Sequence, residues 1–433
     1  MFFIYKLFDL LRIKNKVIHL DKASAKKMNK KWNRLLYIEN ERSYQNLSSF
    51  SPKSIENKKE FEKIKEYFRV WLSAPNYSIV FTSGATESLN MALKGISFQK
   101  IYLEKSKKRV FNIVLSKIEH RAVLEIATYL EKIGVEIRYL PVLRTGVIDK
   151  EKINQFIDRD TILLSIPWVN NETGNYQPIG GIKAIKKNYN FLFHCDLSAG
   201  IAYSPIDLIH YGIDLASFSS HKMCGLKGLG CLVINNQDQI TPIIHGGGQQ
   251  EGMRGGTENF SSIKVWGSYI YSKIKHYQKD KQKIEQLDDY LIHKLQEEFV
   301  NDINFHSLLG KGERVPGIVN VSFKGITNVK LVNYLMKKNI VVGFGSACSQ
   351  LHLENSDTLT AMGLTEQEIA NTLRISFDEN NSIRDLYQLI KNIHIFKKSI
   401  YLKKKSEENE MNLPDCESYR KLALKYLLNK IRN

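Results

Sequence analysis

Between residues 55 and 275 the chain alternates short apolar runs with helical stretches, and nothing else in it restricts the fold as strongly. The runs are YSIVFTS (77–83), NIVLSKI (112–118), TILLSIPW (161–168), NFLFHCDL (190–197), DLASFSS (214–220) and GCLVINN (230–236). Strands that take turns with helices are joined by crossovers, so the pattern predicts an α/β fold around a mostly parallel sheet. From about residue 276 a long charged helical pattern, HYQKDKQKIEQLDDYLIHKLQEEF, leads into a second unit containing GIVNVSF (317–323) and IVVGF (340–344). That helix is the expected domain boundary. With no Pro/Ser-rich linker and no repeat, the two units should pack tightly.

A length of 433 residues fits two such units with a substantial core. Lys and Arg number 63 against 45 Asp and Glu, a net charge of +18. Nucleic-acid binding is the plain reading of that balance, yet no zinc-ligand spacing, RNA-binding aromatic signature or helix-turn-helix arrangement accompanies it. Much of the charge is lysine on helical faces and near the two ends, a general surface property compatible with weak affinity for acidic partners. Five cysteines, at 195, 224, 231, 348 and 416, are odd in number and scattered. They exclude a disulfide framework and point to a reducing compartment such as the cytoplasm.

Residues 1–16, MFFIYKLFDLLRIKNK, put Ile4, Leu7, Phe8 and Leu11 on one helical face. This amphipathic helix is too short and too charged to span a bilayer and is followed by no cleavage site. It reads as a helix docked on the body of the protein, with an organellar address or membrane-surface contact as the alternative. No other apolar run reaches the roughly eighteen residues of a membrane span. From Lys397 the chain carries a solvated charge run, then a short helical pattern with Leu424, Leu427, Leu428 and Ile431 on one face.

The stretch DLASFSSHKMCGLKGLG (214–230) sets Lys222 just beyond a strand, after Ser219, Ser220 and His221 and before glycines 225, 228 and 230. Alone, this is a surface lysine in a glycine turn. HCDLSAG adds Asp196 at the end of another strand, one strand-connection-strand unit upstream, and in a parallel sheet the two side chains converge at the carboxyl edge where such folds bind ligands. A pyridine aldehyde cofactor needs this pair: a lysine for a Schiff base and a carboxylate that keeps the ring nitrogen protonated. It also needs a phosphate cup. FTSGATESLNMAL supplies one, because a strand breaks at Ser83-Gly84 and a helix begins near Ala85-Thr86, offering backbone N–H groups, a hydroxyl and a positive helix end. Read singly, that is an ordinary capped helix start with Glu87 favouring the dipole. His120 in SKIEHRAVLE opens a helix after a strand; beside a planar cofactor its imidazole can stack and move protons, where otherwise it is a buried structural histidine. Asn171 in WVNNETG is by itself a turn residue.

Taken in order, FTSGATES, IEHRAVLE, VNNETG, HCD, SFSSHK, GGG…GMRGGTEN, GSACS and AMGLTEQE…LRISF resemble the cysteine desulfurases of the class V aminotransferase group, of the type with a short cysteine loop, over about residues 17 to 395. The resemblance implies the type I fold of pyridoxal phosphate-dependent transferases. A large domain, 17–275, would hold a mostly parallel seven-stranded sheet, its first residues packing with a smaller α+β domain at 276–396; 1–16 and 397–433 would be extensions. It implies pyridoxal 5'-phosphate on Lys222, with Asp196 at its ring nitrogen, His120 stacked on its face, Ala85, Thr86, Ser219 and His221 around the phosphate and Asn171 at the ring oxygen. Thr257 would reach the phosphate of the other subunit in a homodimer. Arg374 would grip the carboxylate of L-cysteine with its planar two-pronged donor, helped by Asn171. Cys348 would be the nucleophile. In the implied reaction the amine of L-cysteine displaces Lys222, Lys222 removes the α proton, and the Cys348 thiolate attacks the substrate sulfur, leaving a persulfide and releasing L-alanine. The sulfur would pass to an acceptor such as an iron-sulfur scaffold or a tRNA-thiolation protein. No intrinsic metal is implied, although Cys348 could transiently ligate a nascent cluster. Cys195, Cys224 and Cys231 read as packing residues, and Cys416 has no assigned role.

The chain departs from the family pattern at several points. Ala199 replaces a glutamine whose amide supports the cofactor ring oxygen, a loss of one hydrogen bond of about 1 kcal/mol. HLDKASAKKM keeps Asp21 and Ala23 but lacks the threonine and proline that usually follow; Leu47 replaces proline, Ser51 histidine, and Asp378 the glycine that ends the arginine motif. A selenocysteine lyase or aminotransferase of the same fold would need Lys222 and Asp196 but no thiol. A degenerate, non-catalytic homologue would fit the worn N-terminus but not the retained Lys222, Asp196, His120, Cys348 and Arg374.

Overall fold

The computed structural model describes residues 17–103, 110–343 and 356–411. The helices expected at 1–16 and around Leu424–Ile431, and both Cys348 and Cys416, lie outside the described residues. At the centre is a seven-stranded sheet of order β2-β8-β7-β6-β5-β3-β4. Its strands are β2 (Ser78–Thr82), β3 (Asn112–Ser116), β4 (Glu136–Leu140), β5 (Thr161–Pro167), β6 (Leu192–Asp196), β7 (Leu215–Ser219) and β8 (Gly230–Ile234). Pairing is parallel from β7 to β4, whereas β8 is antiparallel to both β7 and β2, so six strands share one direction.

Alternate residues of these strands enter two cores, as the two-residue period of a strand requires. Val80, Ile113, Leu163, Leu215 and Leu232 meet helices α3 (Ala85–Leu103) and α4 (Arg121–Lys132). Phe81, Val114, Leu164, Phe193 and Phe218 face α2 (Pro52–Trp71) and α5 (Phe260–Glu298) on the other side, where Trp266 packs edge-on against Phe68 and Phe218. Helix α1 (Lys30–Arg42) lies on α5. Burial on both faces explains why the six expected strands read as continuous apolar runs. Strand β4, EIRYL, was not expected: it is an edge strand with Glu136 exposed and Ile137, Arg138 and Tyr139 half-buried, so its hydrophobic signal is diluted.

Helix α5 starts at Phe260, well before the charged pattern at 276, because its first half is apolar and buried through Ile263, Val265, Trp266 and Ile270. Beyond it, β9 (Ile303–Phe305), β10 (Ile318–Phe323) and β12 (Thr372–Ser376) form an antiparallel sheet of order β12-β10-β9. β1 (Ile18–Leu20) pairs in parallel with β11 (Ile340–Val342), carrying the start of the described chain onto the second unit beside α6 (Asn328–Lys337). The charge run expected to begin as a separate extension at Lys397 instead continues α7 (Ile383–Met411), and Lys397 pairs with Asp302 over the Phe299 ring. None of the helices among the described residues is long and apolar enough to cross a membrane.

Candidate active site

Every chemistry-bearing position on the central sheet falls at the carboxyl end of a like-directed strand. Ala85 opens α3 after β2, His120 caps α4 after β3, Asn171 follows β5, Asp196 ends β6, and Ser219 to Lys222 close β7. This edge borders a cavity of about 280 Å³ lined by Ser83, Gly84, Ala85, Thr86, His120, Asn171, Asp196, Ser219, His221, Lys222 and Arg374, together with Ala23, Ser24, Leu89 and Ser198. The cup at α3 depends on glycine. A Cβ on Gly230 would sit 2.3 Å from the Gly84 carbonyl carbon, so only a glycine at the head of β8 lets the loop before α3 lie so close. Glu87 then holds the loop, its carboxylate accepting from the Ser83 amide (2.8 Å) and from Arg254 Nε (3.0 Å).

Protonation states follow from burial and hydrogen bonding. His120 Nδ1 accepts from the Ala122 amide (3.1 Å) as the cap of α4, so the neutral ring carries its proton on Nε2, the nitrogen left for the cavity. Desolvation, then the charge of Lys222, lowers the ring to about 4 against a smaller opposing pull from Asp196. Desolvation and Lys222 likewise keep His221 neutral, at about 4. The Asp196 side chain accepts from the Ser198 amide (2.8 Å), which fixes its rotamer at the strand end. Behind it runs a chain absent from the sequence reading. Ser165 Oγ donates to Glu119 Oε1 (3.0 Å) and meets His194 Nδ1 (2.9 Å), while His194 Nε2 meets Ser217 Oγ (3.0 Å). Burial, then Asp196, pushes the Glu119 carboxyl up to about 8. The signals were slight: Glu119 adjoins His120, and His194 shares a strand face with Asp196.

Arg374, on β12, enters from the second unit and is 1% exposed. Its guanidinium donates from Nη1 to the Asn171 carbonyl (3.0 Å) and from Nη2 to Asp21 Oδ1 (2.8 Å) and Ser24 Oγ (2.5 Å). Nε is buried without an acceptor, beside the cavity that Arg374 lines. Gly343 lies against this arginine, exchanging both backbone hydrogen bonds with it, and a Cβ there would come 2.6 Å from Asp21 Oδ1. Gly343 is the last described residue before the break at 344–355, and just after it the same neighbourhood recurs: Ser356 donates to Glu172 (2.7 Å) and Thr358 accepts from Asn170. The chain bearing Cys348 therefore leaves the described fold at a residue bonded to Arg374 and re-enters it at residues bonded to the two neighbours of Asn171.

Thr257 is not part of that wall; it is exposed, in the loop ahead of α5. Ala199 belongs to the core rather than to the lining, whereas its neighbour Ser198 lines the cavity with an unpartnered buried hydroxyl. Cys195, Cys224 and Cys231 are buried, and burial raises all three thiols, Cys224 to about 12, which keeps them protonated and unreactive. Among the described residues no group of three or more His, Cys, Asp or Glu is placed to hold a metal ion.

The Aminotransferase class-V family pattern matches residues 19–389. This chain belongs to the class V aminotransferase family. A cysteine desulfurase IscS of Dictyoglomus turgidum is 33% identical over 369 residues, covering 85% of this chain and 91% of the relative. A solved NifS-like protein superposes with a TM-score of 0.79 at 30% identity, over 88% of this chain and 100% of that one. A further solved structure, described as SspA in complex with cysteine, gives a TM-score of 0.72 at 29% identity over 83% of this chain and 98% of that one. As a class V member the chain has an α/β fold with a mostly parallel central sheet, and its relatives within the family include cysteine desulfurases.

Proposed function

We propose that the protein is a cysteine desulfurase that takes sulfur from L-cysteine onto Cys348 and releases L-alanine. The observation that carries this reading is the convergence of Lys222, Asp196, His120 and the α3 amino end with Arg374 in one cavity. The lining fits pyridoxal 5'-phosphate. Ser219 and Ser198 each offer a buried hydroxyl with no partner, and the Gly84-Ala85-Thr86 turn offers amides at a positive helix end. Lys222 would hold the aldehyde, Asp196 the ring nitrogen, Asn171 the ring oxygen, and Ala85, Thr86, Ser219 and His221 the phosphate, with His120 on the ring face. When bound, the cofactor supplies a carbonyl for amines and a ring that draws electrons from the substrate Cα.

The chain's own groups do the rest. Arg374 Nε, the unfilled donor, binds the substrate carboxylate and orients the Cα–H bond. Lys222 Nζ removes the Cα proton. His120 stays neutral above about pH 4 and offers its Nε2 proton to the cavity. Cys348 Sγ, as thiolate, attacks the substrate sulfur; the C–S bond breaks with its electron pair left on carbon, which takes a proton and departs as alanine. The persulfide then passes to an acceptor, an iron-sulfur scaffold or a tRNA-thiolation protein. Exposure of Thr257 supports its donation to a second subunit and hence a homodimer. We assign residues 17–275 to a large domain and 276–396 to a small one, an arrangement that the β1–β11 pairing supports for the first residues. Free thiols at Cys195, Cys224 and Cys231 support a reducing, cytoplasmic location.

The deciding experiment is mass spectrometry of Cys348 after incubation with L-cysteine, beside alanine release from the wild type and Cys348→Ala. A 32 Da gain on Cys348, the mass of one sulfur atom, with alanine release lost in the variant is the expected result. Alanine release that persists without Cys348 would overturn it in favour of a lyase that needs no thiol.

A further inference from the structure

The two places where the chain departs from its family around Arg374 meet in space. One is the segment Asp21-Lys22-Ala23-Ser24-Ala25-Lys26, with lysines in the stretch that has lost its threonine and proline; the other is Asp378, in place of glycine. The Asp378 carboxylate lies 3.8 Å from Lys22 Nζ through Oδ1 and 3.5 Å from Lys26 Nζ through Oδ2. All three are buried: Lys22 is 9%, Lys26 8% and Asp378 2% exposed. Lys26 Nζ makes no hydrogen bond and lies 5.2 Å from the centre of the Tyr203 ring. Asp378 Oδ1 also accepts from the Asn380 amide (3.1 Å), and its own amide donates to Asn381, so the carboxylate is held from its own side.

The pinned segment spans the cavity wall. Lys22 donates its amide to the Ser376 carbonyl (3.1 Å), Ala23 to Ser376 Oγ (2.9 Å), and Lys26 to the carbonyl of His221 (3.1 Å), next to Lys222. From the same segment, Asp21 and Ser24 take both hydrogen bonds of Arg374 Nη2, and Ala23 and Ser24 line the cavity. Without Asp378 the two buried ammonium groups would lose the carboxylate that pairs with both, leaving Lys26 only the weaker influence of Glu379, an unfavourable arrangement in a low-dielectric site. The two lysines and the aspartate are therefore energetically interdependent.

We propose that Asp378 is a positioning residue for substrate binding: through Lys22 and Lys26 it clamps residues 21–26, the segment that aims Arg374. The proposal rests on the assignment of Arg374 to the substrate carboxylate. It deepens that assignment by making the aim of the arginine depend on a charge cluster that is not itself part of the cavity lining.

The test uses the full chain with pyridoxal phosphate supplied, as Asp378→Asn, Lys26→Met and the neutral triple variant Asp378→Asn/Lys22→Met/Lys26→Met. Asp378→Asn should raise KM for L-cysteine about tenfold or more with kcat within about threefold, and Lys26→Met, which leaves Lys22 paired, should raise it about threefold. The triple variant, with no buried charge left unpaired, should return KM to within about threefold of wild type. Hydrogen exchange of the Lys22, Ala23 and Lys26 amides, read with and without the cofactor, should lose protection in Asp378→Asn while β6 keeps its own. This second measurement needs no turnover, so it stands even if L-cysteine proves not to be the substrate. Unchanged KM with unchanged protection of 21–26 would overturn the proposal, as would protection lost equally throughout the fold or a triple variant no better than Asp378→Asn. Should Asp378→Asn fail to fold, an unchanged KM and unchanged protection in Lys26→Met would overturn it.

Discussion

The two walls of the cavity are built differently. On the Lys222 side, each functional residue is fixed by the end of a strand or the start of a helix: Lys222 by β7, Asp196 by β6, His120 by its cap of α4, Thr86 by α3. On the Arg374 side, position comes from side chains bonded across more than 300 residues of sequence, Arg374 to Asp21 and Ser24, and Asp378 to Lys22 and Lys26. Apart from Ala199, the first wall keeps the residues of the pattern read from the sequence; the second departs from it at several positions. Placement by secondary structure leaves little freedom, because moving one residue would mean moving a strand of the core. Placement by ion pairs can be rebuilt by compensating substitutions, provided no buried charge is left alone.

The largest effect should come from breaking the first wall. Lys222→Ala should lose the visible absorbance of the bound cofactor and lower kcat/KM by about three orders of magnitude or more, as expected when a covalent catalyst is removed. Retained absorbance and turnover would show that Lys222 is not the attachment point. Breaking the second wall should leave the absorbance intact. Arg374→Lys replaces a planar fork that holds Asp21, Ser24 and the Asn171 carbonyl with a single ammonium, and kcat/KM should fall about a hundredfold, mainly through KM. Equal loss of cofactor would mean that the walls are not separable.

A subtler contrast lies in pH dependence, which the Lys222 side should dominate. Glu119, raised to about 8, keeps its proton in the fold while the unfolded chain sheds it. Across the window from the ordinary carboxylate range to about pH 8 it therefore removes stability as pH rises, by at most about 1.4 kcal/mol per unit. His120, His194 and His221, each lowered to about 4, act in the opposite sense: as pH falls from 6.5 toward 4 the unfolded chain takes up protons that the fold refuses, and stability drops. Glu119→Gln should flatten the decline in melting temperature between pH 5 and 8 and leave the acid limb unchanged. An unaltered alkaline slope would show Glu119 to be ionised in the fold. The smallest effect is expected for Ser198→Ala, where loss of one hydroxyl next to the missing glutamine should weaken cofactor affinity about fivefold, measured by fluorescence titration. No change would leave that hydroxyl without a ligand.

Much of the first wall was legible because its signals are local. A strand end followed by Gly84-Ala85-Thr86, or by Ser219-Ser220-His221-Lys222, announces both element and site, and six of the seven strands of the central sheet stood out as apolar runs. β4 escaped because an edge strand need be apolar on neither side, and α5 was read short because its buried half lacks the charged stripe that marked the rest. His194, Ser165 and Glu119 escaped because a buried hydrogen-bonded chain leaves no periodic trace. Asp378 and Lys26 were visible only as departures from a pattern, with nothing in the order of residues to say that they touch.

The sequence alone determined the fold class, the family and the residues at the carboxyl edge of the sheet, since strand length, helix capping and the turn of chain between them are set within a few neighbouring residues. The tertiary structure alone decided which of the departures belong together. Burial is what makes Asp378 and two lysines interdependent: in water three such charges would be screened and independent, while inside the protein each is tolerable only because the others are there.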